Sequence, residues 1–511
     1  MIELSAKNDV LGNMKRCSMI LICLQSAICF AQQPNVLLVI ADDLGLDPVP
    51  NYLPGPEKAN MPNLEALMAS GLTFDNVWAD PLCSPTRATI LTGRYGLRTG
   101  VLNANTESLL PSTETTLHRY LDDNTSGYSS SIIGKWHLGG PPGYPNFLGI
   151  PYYAGLRAGA VADYNVWTLT LNGTDTPRTD YITTAITDLG IQWIGQQTEP
   201  WFCWLAYTAP HVPFHLPPLE MHNQGALPTD QASIDADPLP YFIAMVESLD
   251  YEMGRLLATL SPAVRANTVV IFIGDNGTDR NVIQSPYGML QGKGTLFEGG
   301  VRVPLVISGP GVSRVGQRET ALVNSSDLFT TIVELTGHAL PNYYDSHSLV
   351  PMLSQVDLSV RDCLYAEVSD NTDGSTYRNG RYKRIQHANG NEFFYDLLLD
   401  PFENNNLLSG TLTTEQEMEF NALVASCDLQ VGIRDVPLNS FAIHPDPVST
   451  ILTVTHSFKG RVAFTIRSTS GALVATGTIK SDKHDIDVGF LPAGCYLFGI
   501  GDQRKRFVKQ P

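Results

Sequence analysis

Residues Asn35-Val-Leu-Leu-Val-Ile-Ala41 are followed at once by Asp42-Asp43-Leu-Gly45. The first segment is a continuous apolar run, which is typical of a central strand buried on both faces of a sheet. Two adjacent carboxylates at the end of such a strand repel each other unless they share a cation. The stretch therefore predicts an α/β fold with a hard metal ion, bound by oxygen atoms, at the carboxyl edge of its sheet. Taken alone, an Asp-Asp pair is more often a solvated turn.

Two further apolar runs, Trp201–Tyr207 and Thr268–Ile273, predict buried strands of the same kind. The first leads into a loop that carries His211. The second leads into Asp275-Asn276, which offers two more oxygen ligands, although Asp-Asn-Gly by itself is most often a turn. Because the sites of α/β proteins lie beyond the carboxyl ends of their strands, these side chains are candidates for one site.

Cys83 begins the segment Cys83-Ser-Pro-Thr-Arg87, which a helix-forming run follows. A cysteine at a helix N-terminus lies beside free backbone N–H groups and the positive end of the helix dipole, which favour an anion. Arg87 would lie about one turn further along the same face. The alternative is a buried structural cysteine, because free cysteines are among the most buried residues.

Lys135 and His137 alternate with Trp136 in the segment Gly134-Lys-Trp-His-Leu-Gly139. If this segment is a strand, its cation and its titratable imidazole lie on one face. The residues of a lone Lys-x-His usually lie exposed on the protein surface and have no role in a site. We interpret His215, which no surrounding pattern supports, as structural.

The segment Cys83–Arg87, with the following Leu91-Thr-Gly-Arg94, resembles the signature of the type I sulfatases. Further blocks are similar to those of the family and occur in its order, over about residues 33–425. They are Asp42–Gly45, the amphipathic helix predicted for Met61–Gly71, Gly134–Gly139, Gly274–Gly277 and Gly292–Pro304. The resemblance implies an alkaline-phosphatase/sulfatase-like α/β fold, a doubly wound sheet followed by a small C-terminal antiparallel subdomain.

The resemblance also implies the residues of the site. Cys83 would be oxidised to Cα-formylglycine by a formylglycine-generating maturation enzyme. One Ca²⁺ would be held by Asp42, Asp43, residue 83, Asp275 and Asn276. Catalytic roles would fall to Cys83, Arg87, Lys135, His137, His211 and Lys293.

Roles in similar enzymes imply a reaction in which charge is stabilised by Arg87, Lys135 and the cation. His211 and Lys293 would hold the sulfate and assist departure of the alcohol, while His137 would deprotonate a hydroxyl of the hydrated aldehyde. The implied activity is hydrolysis of sulfate esters, of sulfated carbohydrates or of aryl sulfates.

Two alternatives stay open at this point. One is a phosphonate or phosphodiester hydrolase of the same superfamily, and the other is a secreted glycan-binding protein without turnover. Segments 144–180 and 212–240 and residues 278–280 are expected to shape the substrate pocket, but they do not name a sugar or a sulfate position.

The composition excludes some partners. The chain has 511 residues and a formal net charge of -18, which repels polyanions at long range and argues against nucleic acid. A sulfated substrate therefore needs a locally cationic pocket. The eight cysteines are too few and too scattered for a disulfide scaffold, and pairing among Cys203, Cys363, Cys427 and Cys495 stays open.

Residues 14–31 have a basic start, an apolar centre and a small residue at the end, which predicts a signal peptide cleaved after Ala31. The apolar part is too short for a membrane span. Met14 is a plausible start of translation. We predict four parts of the chain: a signal peptide at 1–31, a catalytic α/β domain at 32–320, its C-terminal subdomain at 321–430, and a further domain at 437–511.

Short alternating segments at 451–455, 461–466, 473–476 and 495–498, separated by glycine-containing turns, predict a small all-β sandwich for residues 437–511. Its pattern from Leu491 to Lys509 resembles the C-terminal sorting domain of type IX secretion. The resemblance implies a partner in the secretion machinery and a secreted or cell-surface protein exported through the periplasm. The alternative is an ordinary accessory sandwich that binds carbohydrate.

Overall fold

The computed structural model describes residues 33–105, 108–124, 127–369, 373–431, 441–444, 448–456, 462–468, 473–479, 483–500 and 503–510. The signal peptide predicted for residues 1–31, with its candidate start at Met14, lies outside the described residues.

The strands, in chain order, are β1 (Asn35–Ala41), β2 (Gly71–Trp78), β3 (Ser129–Gly134), β4 (Tyr152–Gly155), β5 (Trp167–Leu171), β6 (Thr174–Arg178), β7 (Trp201–Ala206), β8 (Thr268–Gly274), β9 (Leu305–Ser308), β10 (Gln317–Asn324), β11 (Asn342–Tyr343), β12 (Ser346–His347), β13 (Leu364–Val368), β14 (Gly374–Arg378), β15 (Tyr382–His387), β16 (Glu392–Asp396), β17 (Phe441–His444), β18 (Ile451–His456), β19 (Val462–Ser468), β20 (Leu473–Ile479), β21 (Lys483–Asp487), β22 (Gly494–Ile500) and β23 (Gln503–Lys509).

The α-helices are α1 (Pro62–Ser70), α2 (Cys83–Thr92), α3 (Gly96–Thr99), α4 (Leu117–Asn124), α5 (Tyr144–Phe147), α6 (Ile182–Ile194), α7 (Gln231–Ala236), α8 (Leu239–Thr259), α9 (Pro262–Ala266), α10 (Glu298–Val301), α11 (Asp327–Leu335) and α12 (Thr414–Val431). Short 3₁₀ turns occupy Leu219–Met221, Met289–Gln291, Val350–Leu353 and Leu407–Ser409.

A mixed sheet in the order β10-β2-β9-β8-β1-β7-β3-β4-β5-β6 forms the centre of the protein. The middle of this sheet, β8-β1-β7-β3-β4, is parallel throughout. Parallel strands need crossover connections on the faces of the sheet, and those helices bury both faces. This arrangement confirms the predicted doubly wound α/β fold.

Strand β1 lies in the centre of this sheet because it has apolar side chains for both faces. Leu37 and Val39 pack in the core under α1, α6 and α8, whereas Val36 and Leu38 pack in the core under α2, α4 and α11. The two sets alternate along the strand because successive side chains point to opposite faces. No polar residue interrupts the run until the chain reaches the edge of the sheet.

The C-terminal part of this unit is a four-stranded antiparallel sheet, β13-β14-β15-β16, covered by α12. A disulfide joins Cys363, just before β13, to Cys427 in α12. The sequence had left this pairing open. Cys203 is a free, buried cysteine in β7 and is part of the apolar core. The domain boundaries at 320 and 430 stay predictions, and β10 spans the first of them.

Strands β17 to β23 form two facing antiparallel sheets, β17-β18-β21 and β20-β19-β22-β23. Val454, Ile466 and Phe498 belong to a separate core of this unit. The segments predicted as strands at 451–455, 461–466, 473–476 and 495–498 overlap β18, β19, β20 and β22. The small antiparallel sheets at the end of the chain thus agree with the predicted fold class. Within the described ranges, the structure contains no helix with the length and apolar character needed to cross a bilayer.

Candidate active site

Five neighbouring parallel strands deliver polar side chains to one edge of the central sheet. Asp42 and Asp43 follow β1, and Asp275 and Asn276 follow β8. The loops after β7, β3 and β4 carry His211, the pair Lys135 and His137, and Arg157. The carboxyl ends of the strands thus bring together residues that lie far apart in the sequence, as expected for an α/β enzyme.

Asp42, Cys83 and Asp275 form a buried group whose ligand atoms lie within 4.8 Å of one another. Two buried oxygens of this cluster, Asp42 Oδ1 and Asn276 Oδ1, accept no hydrogen bond from any described residue, and Asp42 Oδ1 has only a long ion pair of 3.8 Å with Arg87. Buried polar atoms are normally hydrogen-bonded, so two orphaned oxygens in one cluster indicate a missing partner. Their chemistry fits a hard cation with oxygen ligands.

Asp43, also predicted as a metal ligand, contacts a cation and an amide of the same cluster. Its Oδ2 accepts a hydrogen bond from Lys293 Nζ at 2.6 Å, and its Oδ1 accepts one from Asn276 Nδ2 at 2.9 Å. Burial disfavours its charge, but Lys293 and His211 outweigh burial and lower the pKa of Asp43. Asp43 is thus an ionised carboxylate that holds the Lys293 ammonium at the site.

The pKa of Asp42 is shifted upward, in the opposite direction to that of Asp43. Burial raises its pKa, and the neighbouring Asp275 and Asp43 add to this rise, although Lys135 opposes it. Three protein cations lie beside the three carboxylates, yet the pKa of Asp42 is still raised, so further positive charge would stabilise its ionised form. A bound divalent cation would supply that charge, which is a second reason why the residues present fit a metal ion.

Arg87 and Lys135 surround the same carboxylates with fixed positive charge. Arg87 is 1% exposed and donates from Nη2 to Asp275 at 2.7 Å and from Nη1 to the Lys135 carbonyl oxygen at 2.9 Å. Lys135 Nζ donates to Asp42 Oδ2. Both cations are therefore held by groups that are themselves buried, which fixes their positions before any ligand binds.

Cys83 is the first residue of α2, as the sequence predicted for a helix N-terminus. Its Sγ lies 3.1 Å from His137 Nδ1, and burial raises the pKa of the Cys83 thiol. A raised pKa disfavours the thiolate, which is the nucleophilic form of cysteine. An unmodified Cys83 therefore makes a poor nucleophile in this environment.

The expectation that Lys135 and His137 lie in a strand is wrong. β3 ends at Gly134, which has φ of 108°, and His137 itself has φ of 53°. The extended conformation ends at Gly134 because of its positive φ, and glycine is required there because an added Cβ would lie 1.9 Å from the Ala206 carbonyl oxygen of β7. The left-handed turn at His137 directs its imidazole to Cys83, whereas Lys135 reaches Asp42.

His137 and His211 lie on opposite sides of the cluster. Burial, with help from Lys135, lowers the pKa of His137 to about 2. His211 donates from Nδ1 to the Val212 carbonyl oxygen at 2.8 Å, so its Nε2 faces the site, 3.8 Å from Asp43 Oδ2. Burial lowers the pKa of His211 to about 4. Both imidazoles are thus neutral at pH 7 in the free protein.

His215 stays outside the cluster. Its ring lies 4.1 Å from that of Tyr164, and its Nε2 pairs with the Tyr181 hydroxyl at 3.1 Å. These contacts agree with its interpretation as a structural residue.

Lys293 lies on a loop that residues from the C-terminal subdomain fasten at both ends. Gln291 donates from Nε2 to the Phe402 carbonyl oxygen at 2.9 Å, and the Glu298 backbone N–H donates to Glu403 Oε2 at 2.5 Å. Lys383 Nζ lies 3.2 Å from Glu298 and 2.8 Å from Glu403. These contacts to the Lys293 loop could not be predicted from the sequence, because no local pattern connects residues that lie so far apart.

A cavity of about 300 Å³ opens beside the Cys83–His137 pair. It is lined by Ala104, Asn105, His137, Gly139, Gly140, Arg157, Ala158 and Gly159. The cavity exists because its walls are built largely from glycine and alanine. Gly159 packs so closely on His137 that an added Cβ would lie 2.1 Å from His137 Nε2.

Comparisons with known proteins give three matched regions. Residues 34–338 match the profile of the family described as Sulfatase, and residues 287–427 match one described as N-sulphoglucosamine sulphohydrolase, C-terminal. Residues 442–510 match a secretion system C-terminal sorting domain. The matches therefore cover the site residues and, separately, the final sheets.

Individual relatives agree with these profiles. The chain is 29% identical to human arylsulfatase A over 83% of this chain and 96% of that protein. It is 30% identical to human N-acetylgalactosamine-6-sulfatase over 65% of this chain and 68% of that protein. The structure of BT4656 in complex with its substrate D-glucosamine-2-N,6-O-disulfate is similar in fold, with a TM-score of 0.65, 19% identity, and coverage of 79% of this chain and 99% of that chain.

The contact between Gly159 and His137 can be tested directly. Gly159→Ala should lower turnover about 100-fold, because a Cβ in the cavity wall displaces the imidazole from Cys83, and displacements of about 1 Å cost that much. The melting temperature should change little, since the side chain that must move can swing into the cavity. Gly143→Ala is the matched control, because its added Cβ has no atom within 4 Å. Equal turnover in the two variants would contradict this position for His137.

Proposed function

The chain belongs to the sulfatase family and is a sulfuric ester hydrolase, and from this premise we propose that it hydrolyses sulfate esters of carbohydrates with a formylglycine at position 83 and a bound calcium ion. The observation that carries the proposal is the buried group of Asp42, Cys83 and Asp275, with its unpaired oxygens, in contact with His137. Family membership favours this function over the phosphodiesterase and glycan-binding alternatives.

The charges of the cluster support an anionic substrate. Asp42, Asp43 and Asp275 are matched by three cations, Arg87, Lys135 and Lys293. When bound, a divalent cation supplies Lewis-acid stabilisation and an excess of positive charge. The cluster would then carry net positive charge at the point where a sulfate monoester and an oxyanion bring negative charge.

A hydrated formylglycine supplies two hydroxyls, one to attack sulfur and one whose deprotonation allows sulfate to leave. Arg87 and Lys135 are rigidly held and need no rearrangement to stabilise the charge that develops during attack. His137 is the only imidazole within hydrogen-bonding distance of residue 83 in the described chain, and its neutral form can accept the proton. We therefore assign it the role of general base.

Departure of the alcohol requires a proton when the sulfur–oxygen bond breaks. Burial disfavours the charged form of Lys293, but the nearby Asp43 carboxylate has the larger effect and raises the pKa of Lys293. The ammonium therefore remains protonated and can bind the sulfate oxygens. His211 Nε2 carries a proton only in the imidazolium form. A bound sulfate would favour that form, because an opposite charge nearby raises the pKa of an imidazole. These two residues are thus placed to hold sulfate and to protonate the leaving oxygen.

Carbohydrate sulfates are the substrate class that the comparisons favour. One relative is named for N-acetylgalactosamine-6-sulfate, and one solved neighbour binds a sulfated glucosamine. The cavity beside His137 has room for a group attached to the sulfate. The sorting domain at the end of the chain supports action outside the cytoplasm, as a secreted or cell-surface enzyme.

Formylglycine at position 83 predicts a change in the mass of the peptide that contains this residue. The peptide that contains residue 83 should be about 18 Da lighter than its thiol form in active protein, since CH₂SH becomes CHO. Cys83→Ala should lose essentially all sulfatase activity and still fold, and Cys83→Ser should behave in the same way where the maturation enzyme accepts only cysteine. A fully active preparation with an alkylatable Cys83 would rule out the mechanism, because a thiol has no second hydroxyl with which to release sulfate.

Metal binding predicts a change in stability that does not depend on turnover. After chelation, calcium at a hundredfold excess over its Kd should raise the free energy of unfolding by about 2.7 kcal/mol. Asp42→Asn should abolish this gain, because it weakens the group with the unpaired oxygen. Asp47→Asn is the control, since Asp47 lies buried on the same segment but accepts hydrogen bonds from Thr278 and Gln284. Metal analysis should find calcium, and the same gain in both variants would refute the site.

The export role predicts that the final sheets are dispensable for catalysis. A chain ending at residue 436 should keep its activity within about twofold and fail to reach the cell surface, because the sandwich has its own core. A chain ending at residue 412 is the contrast, since it also lacks α12 and the Cys363–Cys427 disulfide, whose loss costs about 2–5 kcal/mol. Loss of activity in a folded chain ending at residue 436 would show that the boundary or the role is wrong.

A further inference from the structure

We propose that Arg157 forms a second anion-binding subsite, which recognises a further negative group on the substrate beside the sulfate that is cleaved. The proposal rests on the proposed function and deepens it, because it names a substrate class: sulfated sugars that carry a second anion. That anion is a carboxylate or another sulfate.

The first support is the place of Arg157 in the fold. It follows β4, which pairs in parallel with β3, so it reaches the same sheet edge as Lys135 and His137. Its carbonyl oxygen accepts the His137 backbone N–H at 3.2 Å. The guanidinium is therefore built on the segment that positions the proposed general base, and not on a distant loop.

The second support is the composition of the cavity. Arg157 and His137 line the same space of about 300 Å³, and the described residues of its lining include no carboxylate. Arg157 is the only permanent cation among those lining residues. The protein has a net charge of -18, which repels anions at long range. An anionic ligand therefore needs a local positive charge, and Arg157 supplies one in this cavity.

The third support is the unused bonding capacity of the guanidinium. Nη1 donates to the Gly140 carbonyl oxygen at 2.8 Å, which fixes the position of the group. Nη2 makes only a long contact of 3.4 Å to the partly exposed Asp175, so its donors can turn to a ligand, whereas Nε is buried and does not face one. The pair with Asp175 is partly exposed on both sides, and such pairs contribute little.

An arginine is suited to this task because its planar group can bind a carboxylate or a sulfate through two donors. The cleaved sulfate has its own cations at Lys135 and Lys293. Arg157 makes no contact with Asp42, Asp43 or Asp275 that would commit it to the metal cluster. A second anion on the same sugar, or on the next one, is the ligand that would use it.

The test compares substrates that differ by one charge. For the wild type, kcat/KM is measured on a monosulfated sugar that the enzyme cleaves, on the same sugar with a second sulfate, and on its disaccharide with a uronic acid. In Arg157→Gln the preference for a doubly anionic substrate over the monosulfated one should fall about 10- to 100-fold, mainly through KM. Arg157→Lys should restore part of it.

Controls separate a subsite from a structural effect. Arg178 lies on β6, the strand that also carries Asp175, but it pairs with Asp180 and does not line the cavity. Arg178→Gln should therefore leave the preference unchanged. Asp175→Asn should keep or increase the preference, because it removes the competing carboxylate. Raising the salt concentration should weaken the preference in the wild type and not in Arg157→Gln.

Binding distinguishes failure of this inference from failure of the proposed function. Calorimetry with the Cys83→Ala variant should show tighter binding of the doubly anionic sugar, and adding Arg157→Gln should remove the difference. Equal binding of both sugars, or an unchanged preference in Arg157→Gln, overturns the subsite. The uronic and disulfated substrates decide between a carboxylate and a sulfate, since the preferred one shows the larger effect.

Discussion

The repulsion among Asp42, Asp43 and Asp275, buried at one edge of the sheet, is the constraint on which the rest of the site depends. Their carboxylates lie too close together to be charged in a dry interior without compensation. Three cations compensate this charge: Arg87 pairs with Asp275, Lys135 with Asp42 and Lys293 with Asp43. The unpaired oxygens of Asp42 and Asn276 mark the compensation that protein groups leave incomplete.

This repulsion explains why residues from distant parts of the chain are needed to stabilise one small site. Each cation must be held in place, because a mobile side chain would pay entropy on every binding event. Arg87 is fixed by Asp275 and the Lys135 carbonyl oxygen. Lys293 is fixed by Asp43 and also through its loop, which the C-terminal subdomain fastens with Glu403 and Lys383. The small antiparallel sheet is therefore part of the active site's support and not an appendage.

The same site combines two opposite electrostatic environments. The net charge of -18 repels polyanions at long range, whereas buried cations at the cluster and Arg157 in the cavity beside it place positive charge close to the site. In the proposed subsite, Arg157 would carry positive charge from the cluster into the cavity beside His137. Specificity can then come from a charge on the substrate that takes no part in bond cleavage.

The sequence by itself determined the fold class and the family, and it predicted which residues meet at the edge of the sheet. It could do so because buried parallel strands are continuous apolar runs, and because the residues that follow them must meet at one edge. It placed Asp42, Asp275, His211 and Cys83 correctly at strand ends or at a helix start. It misjudged the segment after Gly134, since the left-handed backbone at His137, whose N–H donates to the Arg157 carbonyl oxygen, has no local signal in the sequence.

Only the tertiary structure decided how the charges pair and what supports them. It showed that Asp43 holds Lys293, that Cys363 pairs with Cys427, and that Arg157 shares a cavity with His137. These contacts join residues separated by tens to hundreds of positions. Which of several carboxylates meets which cation depends on distances of a few ångströms between loops, and a linear pattern of residue types carries no such distances.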